Sequence, residues 1–106
     1  MDTVETRDKL KPIHPGKILL EEFMTPMNIT QYRLAKGLGV QPTWVNQIIN
    51  GHRSITAEAA LRLGRFFNME ADFWINLQVH YEMELERDRL EASGILETEV
   101  EVFQIA

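Results

Sequence analysis

Residues 30–56, TQYRLAKGLGVQPTWVNQIINGHRSIT, place two short amphipathic patterns on either side of a glycine-bearing turn, an arrangement that few folds accept. Thr30 is a good N-cap for the first pattern, which turns Leu34 and Ala35 inward and ends at Gly37 and Gly39. The second runs from about Pro42 to Asn50, with Val45, Ile48 and Ile49 as its inner stripe, and Gly51 stops it. Between them lies the turn Leu38-Gly39-Val40. Ala35 is small where the two helices must approach, and Gly39 supplies the left-handed backbone that the turn needs. Two helices joined in this way form a helix-turn-helix. With the stripe facing in, Thr43, Trp44, Asn46, Gln47 and Asn50 face out, where no core needs them.

The flanking segments are helical too. His14 precedes Pro15, and proline suits the first helical position because its missing N–H costs nothing there. Ile18, Leu19, Phe23 and Met24 then recur at helical spacing until Pro26 closes the segment. A fourth helix opens at Thr56, carries Glu58 near its positive end, and turns Ala60, Leu61, Leu63, Phe66 and Phe67 inward. A fifth starts near Glu70 or Ala71 and runs to about Ala92, with Phe73, Trp74, Leu77, Tyr81 and Leu85 as its apolar side. Asn76 and Gln78 do not fit that core and are expected to bond helix ends or a partner subunit. Ser93-Gly94 ends the helix. In the tail, Val100, Val102 and Gln104 alternate with Glu99, Glu101 and Phe103, a strand-like period. A lone strand is unstable in water, so this segment either pairs with another chain or stays loose. The expected organisation is an N-terminal arm over 1–12, an all-α helix-turn-helix domain over 13–92 and a tail over 93–106.

Charge sharpens the reading. The chain of 106 residues has a net charge of −5, which alone argues against nucleic acid as a partner. The charge is segregated, however. Residues 28–67 hold five basic residues (Arg33, Lys36, Arg53, Arg62, Arg65) and only Glu58, whereas residues 68–106 hold two basic and ten acidic ones. Such asymmetry suits two partners with opposite surfaces, although an acidic helix face is ordinarily just solvated. There is no cysteine, hence no disulfide or thiolate chemistry. The start of the chain has no apolar signal region, and no apolar run reaches the length of a membrane span, so the cytoplasm is the expected location and no membrane partner is expected. His14, His52 and His80 lack metal-site spacing, the GLG glycines follow no strand, and no carboxylate pair or Ser/His set justifies an enzyme. No cofactor or metal is expected.

The outward face of the second pattern fits DNA. Gln and Asn bond adenine at N6 and N7, and a threonine methyl touches the thymine methyl. Thr43, Trp44, Asn46, Gln47 and Asn50 are therefore the candidate base readers. Gln31, Arg33, Gln41, His52 and Arg53 are the candidate phosphate contacts around them, helped by the free N–H groups that open the second helix. A polar outer face that is merely solvated remains the plain alternative.

Residues 13–82 also resemble a known family. The segments PGKILLEEFM, ITQYRLAKGLGV, WVNQIINGHRSITAEAALRLGRFF and ADFWINLQVHYE are similar to the HigA group of bacterial antitoxins, within the Cro/C1 repressor-type helix-turn-helix proteins. The most specific part comprises Asn50, Gly51, Arg53, Ile55, Thr56, Glu58, Ala60, Arg62, Leu63, Phe73, Trp74, Asn76, Leu77 and Gln78. The resemblance implies a five-helix Cro/C1 repressor-like domain, a homodimer on palindromic operator DNA that represses its own operon, and a small basic partner resembling the RelE-type (HigB-like) mRNA-cleaving toxins. The acidic segment 82–101 is the expected toxin surface, and the fifth helix or the region after it the expected dimer surface. A stand-alone repressor without a toxin is the alternative; an interaction module that has lost DNA binding is a third reading. Pro42 and Trp44 depart from the family pattern and put the operator sequence in question, not the mode of binding; the outward Trp44 is expected to lie over the neighbouring loop, with stacking on a sugar or a thymine methyl as the alternative.

Overall fold

The imidazole of His14 opens the first helix among the described residues. The computed structural model describes residues 11–105, so the expected arm over residues 1–12 lies, except for Lys11 and Pro12, outside the described residues. His14 is in extended conformation, and its Nδ1 accepts the Gly16 N–H at 2.9 Å, with Pro15 at the first helical position of α1 (Pro15–Ile18). α1 then passes directly into a π-helical segment, Leu19–Met24, which the periodicity of the sequence does not foretell. Leu19 and Met24 are both fully buried. Residues five apart stand roughly 140° apart on an α-helix, but i→i+5 bonding brings them onto one face. The wider turn lets both side chains reach the core.

α2 (Gln31–Leu38) is capped by Thr30, whose Oγ1 accepts the Arg33 N–H at 3.0 Å. It buries Leu34, Ala35 and Leu38. Gly39 has φ +75°, and the Val40 N–H returns to the Ala35 carbonyl at 3.0 Å, closing the helix with a left-handed residue. Gly37 lies inside the helix rather than at its end; a Cβ there would overlap the Phe66 ring. α3 (Pro42–Ile49) buries Val45 and Ile48, and Ile49 is only half-buried. α4 (Ala57–Phe67) is capped by Thr56 Oγ1 on the Ala59 N–H at 3.2 Å. Its inner face is Ala59, Ala60, Leu63 and Gly64; Leu61, expected inward, is 66% exposed because it falls about 100° off that stripe.

α5 (Ala71–Ser93) is the long element, and only Trp74 and Gln78 on it are fully buried. The expected apolar side is only partly realised. Leu77 and Tyr81 are half-buried, Phe73 is partly exposed at the start of the helix although its ring packs on Trp74, and Leu85 is exposed where the helix outruns the core. Trp74 sits centrally, with ring centroids 4.7 Å from Phe23, 5.7 Å from Phe67 and 5.1 Å from Phe73. Gly94 has φ +72°, and α6 (Ile95–Glu99) follows. No strand forms among the described residues. Val100 is extended, but the residues after it find no ladder partner among the described residues, and Val102, Phe103 and Ile105 are exposed. No helix among the described residues is long and apolar enough to cross a membrane.

Two contacts set the orientation of α3. Gly16 packs backbone-to-backbone on its C-terminal end, where an added Cβ would overlap the Ile48 carbonyl oxygen. Gln78 fixes the chain that leaves it: its Oε1 accepts the buried Ile55 N–H at 2.8 Å, and its Nε2 donates to Glu82 Oε2 at 3.0 Å. A glutamine amide thus reaches across the core to the start of α4, in line with the expectation that Gln78 serves a helix end. Asn76 is exposed. Replacing Gln78 with Leu leaves the Ile55 N–H buried without an acceptor, which costs about 1–3 kcal/mol. Glu82→Gln keeps that bond and costs well under about 1 kcal/mol. Urea unfolding of the two variants measures the difference.

Candidate nucleic-acid interface

α3 is held from inside by Val45 and Ile48 and presents its other side to solvent. Thr43, Asn46, Gln47 and Asn50 are exposed there, as the inner stripe requires. Trp44 is not. Expected to face out with the readers, it is half-buried and packs against the core, because an indole with a free inner flank gains more from apolar contact than from water. Pro42 occupies the first helical position, where φ near −65° and a missing N–H are no handicap.

The exposed amides are not free rotors. Asn46 Nδ2 donates to Gln31 Oε1 at 3.1 Å, which ties the middle of α3 to the first residue of α2. Asn50 Nδ2 donates to the carbonyl of Asn46 at 2.9 Å. Gln47 Oε1 accepts from Arg53 Nε–H at 2.9 Å. The turn after α3 makes the last contact. Gly51 has φ +79°, its N–H bonds the Ile48 carbonyl at 3.0 Å, and the His52 N–H bonds the Gln47 carbonyl at 2.8 Å. This Schellman closure folds the chain back so that Arg53 lies beside Gln47.

The remaining candidates divide. Gln41 is exposed at the N-cap of α3 and makes no capping bond with its side chain. In the first α3 turn Pro42 has no N–H and the Trp44 N–H bonds the Gln41 carbonyl at 2.9 Å, while Gln31 is half-buried. Arg33 instead lies over the Phe66 ring, 5.6 Å from its centroid. His52 is exposed at the far end of α3. Arg62, from the same basic block, faces away from this row: its Nη1 donates to the Leu38 carbonyl at 2.7 Å and its Nε to Glu58 at 3.0 Å. It thereby closes the C-terminal end of α2, where a cation is favourable. Two lysines escape sequence reasoning, because they lie far from α3 along the chain. Lys11 and Lys17 line a cleft with His14, Asn50 and Gly51 beside the α3 C-terminus. Among the described residues the surface around α3 therefore gathers cations from three segments. Glu84, Glu86, Asp88 and Glu91 lie on the solvated half of α5.

A helix-turn-helix family model matches residues 20–74. Virulence-associated protein I of Dichelobacter nodosus is 42% identical over 84 residues, 78% of each chain. The HigA-1 antitoxin of Vibrio cholerae is 36% identical over 72 residues, 68% of each. The structure of the Pseudomonas aeruginosa antitoxin HigA with the higBA promoter superposes with a TM-score of 0.81 at 38% identity, covering 89% of this chain and all of that one.

His14 makes the α1–α3 contact sensitive to pH. Its pKa is held below the ordinary 6.5, first by burial and then by the neighbouring His52. The Tyr81 ring also closes over it, edge-on at 5.0 Å. A doubly protonated imidazole has no lone pair at Nδ1 and loses the Gly16 bond. Since the folded value is the lower one, the contribution is complete above 6.5 and is lost as pH falls through the folded value. His14→Asn, which caps without titrating, is expected to remove this share of the acid destabilisation, and His14→Ala to cost about 1 kcal/mol at pH 7.5. Urea midpoints at pH 7.5 and 5 read both.

Proposed function

The chain belongs to the HigA antitoxin group of the Cro/C1-type helix-turn-helix family, DNA-binding proteins rather than enzymes, and from that premise we propose that it binds operator DNA at its own promoter as a homodimer, represses the operon, and neutralises a RelE-like toxin. The observation that carries the DNA part is the row of exposed amides on α3, clamped by the Asn46–Gln31 and Gln47–Arg53 bonds. Side chains already ordered lose little entropy on meeting base edges. Asn46, Gln47, Asn50 and Thr43 face the bases. Gln31, Gln41, His52 and the lysines of the α1 cleft contact phosphates and set the register.

A single copy neutralises few phosphates, so useful affinity at physiological salt calls for two. Two α3 helices in successive major grooves stand about 34 Å apart. The surface left for pairing is α5 and the tail, where Val79, Met83, Leu96, Val102 and Phe103 expose apolar area. Fluorescence anisotropy against labelled duplex from upstream of the gene, beside a scrambled duplex, tests the reading. Expected are preference for the upstream sequence, a steep fall in affinity with salt, and discrimination reduced by about 1–3 kcal/mol in Asn46→Ala. Equal affinity for both duplexes sinks it.

Toxin neutralisation is supported by the antitoxin relatives and by the acidic outer half of α5. A basic RNA-cleaving protein meets complementary charge there. The triple variant Glu84→Gln, Glu86→Gln, Asp88→Asn is expected to slow association with a co-expressed basic toxin and to weaken its salt dependence, while operator binding stays intact. Unchanged association kinetics place the toxin surface elsewhere.

A further inference from the structure

Sequence reasoning pairs Gln47 with adenine and Arg53 with phosphate; their contact points to a different reading. Arg53 Nε–H donates to Gln47 Oε1 at 2.9 Å, and both side chains are exposed on the outer side of α3. A guanidinium has five N–H donors and no acceptor, so the orientation of the Gln47 amide is fixed by chemistry: Oε1 is engaged and Nε2 is the free end. A bidentate bond to adenine requires the opposite use of the amide, with Oε1 accepting from N6–H and Nε2 donating to N7. Here that oxygen already accepts from a cation and keeps one lone pair, but the guanidinium beside it would bring its remaining hydrogens against the adenine amine, donor against donor.

What the pair presents jointly is a run of donors: the two hydrogens of Gln47 Nε2 and the unused hydrogens of Arg53. In the major groove guanine is the base that offers two neighbouring acceptors, N7 and O6. Asn50 is turned the other way. Its Nδ2 donates to a backbone carbonyl, which leaves Oδ1 outward as an acceptor. The donor-only character is thus particular to the Gln47–Arg53 pair and not general to the face. The pair is held by local geometry, since the left-handed Gly51 and the His52 N–H bond to Gln47 return Arg53 to this position.

We infer that Gln47 and Arg53 act as one donor unit that specifies a guanine in each operator half-site. The inference rests on α3 entering the major groove as proposed above, and it makes Arg53 a specificity residue instead of a phosphate contact.

The test is selection from a randomised duplex library with the full chain and with Gln47→Ala, Arg53→Ala and the double variant, followed by anisotropy titration of the enriched duplex. Both side chains are exposed, and circular dichroism checks that each variant is folded. Expected is an enriched guanine whose preference falls about tenfold or more in either single variant, at the same base pair, with little further loss in the double. Placing 7-deazaguanine there, which lacks N7, weakens the wild type by a similar factor and the variants hardly at all. Inosine, which keeps N7 and O6, leaves binding unchanged. The inference is overturned if Arg53→Ala weakens every duplex alike and flattens the salt dependence, or if the base pair relaxed by Gln47→Ala carries adenine. If no sequence is enriched at all, the major-groove reading itself fails. An enriched site without a coupled guanine removes only the pairing.

Discussion

An eight-residue helix does not hold its shape alone in water, and the reading surface of this chain is such a helix. Everything else in the domain answers that constraint. Val45 and Ile48 bury one side of α3, left-handed glycines fix the turns before and after it, and Gly16 lets α1 lie directly on its last carbonyls. Gln78 then pins the chain two residues beyond Arg53 by bonding the Ile55 N–H from the far side of the core. The helix is rigid because its surroundings determine it several times over, not because its sequence favours helix.

The same economy extends to the outer face. Amide side chains are flexible in isolation, yet here each of Asn46, Gln47 and Asn50 spends one polar atom on a neighbour in the protein and turns the other to solvent. A partner that ties up an oxygen decides what the nitrogen next to it will recognise. Residue type alone therefore under-specifies readout, and the second layer of hydrogen bonds chooses among the bases a glutamine can bond.

The parts of the fold legible in the sequence are those fixed by local chemistry. Thr30 and Thr56 cap because a hydroxyl three residues before a free N–H can reach it. Pro15 opens a helix, and Gly39 carries the positive φ on which the turn depends. The outward set on α3 is dictated by its inner stripe, with Trp44 the exception, since an aromatic ring chooses its side by what apolar surface lies nearby in space. The features hidden from the sequence depend on distant neighbours. The π-helical turn at Leu19–Met24, the exposure of Leu61 and the lysines of the α1 cleft all arise from how elements cross, not from their own periods. The alternating tail reads as a strand, yet an alternating pattern needs a ladder partner, and none is present within the described chain. The Arg53–Gln47 contact is hidden for a related reason: it is made by a returning turn, and sequence spacing alone points Arg53 to phosphate.

α5 is fully buried only as far as Gln78 and still packs on His14 through Tyr81, beyond which twelve residues carry it outward to Ser93. That free length is about 18 Å at the rise of an α-helix. Mechanically it is a lever whose fulcrum is the Gln78–Tyr81 turn. A tilt of about 10° at the fulcrum swings the tip by about 3 Å, the rise of about two helical residues. Any protein that grips the acidic end therefore works with a long moment arm. The torque it applies is borne by the same turn whose glutamine holds the backbone leading out of the reading helix.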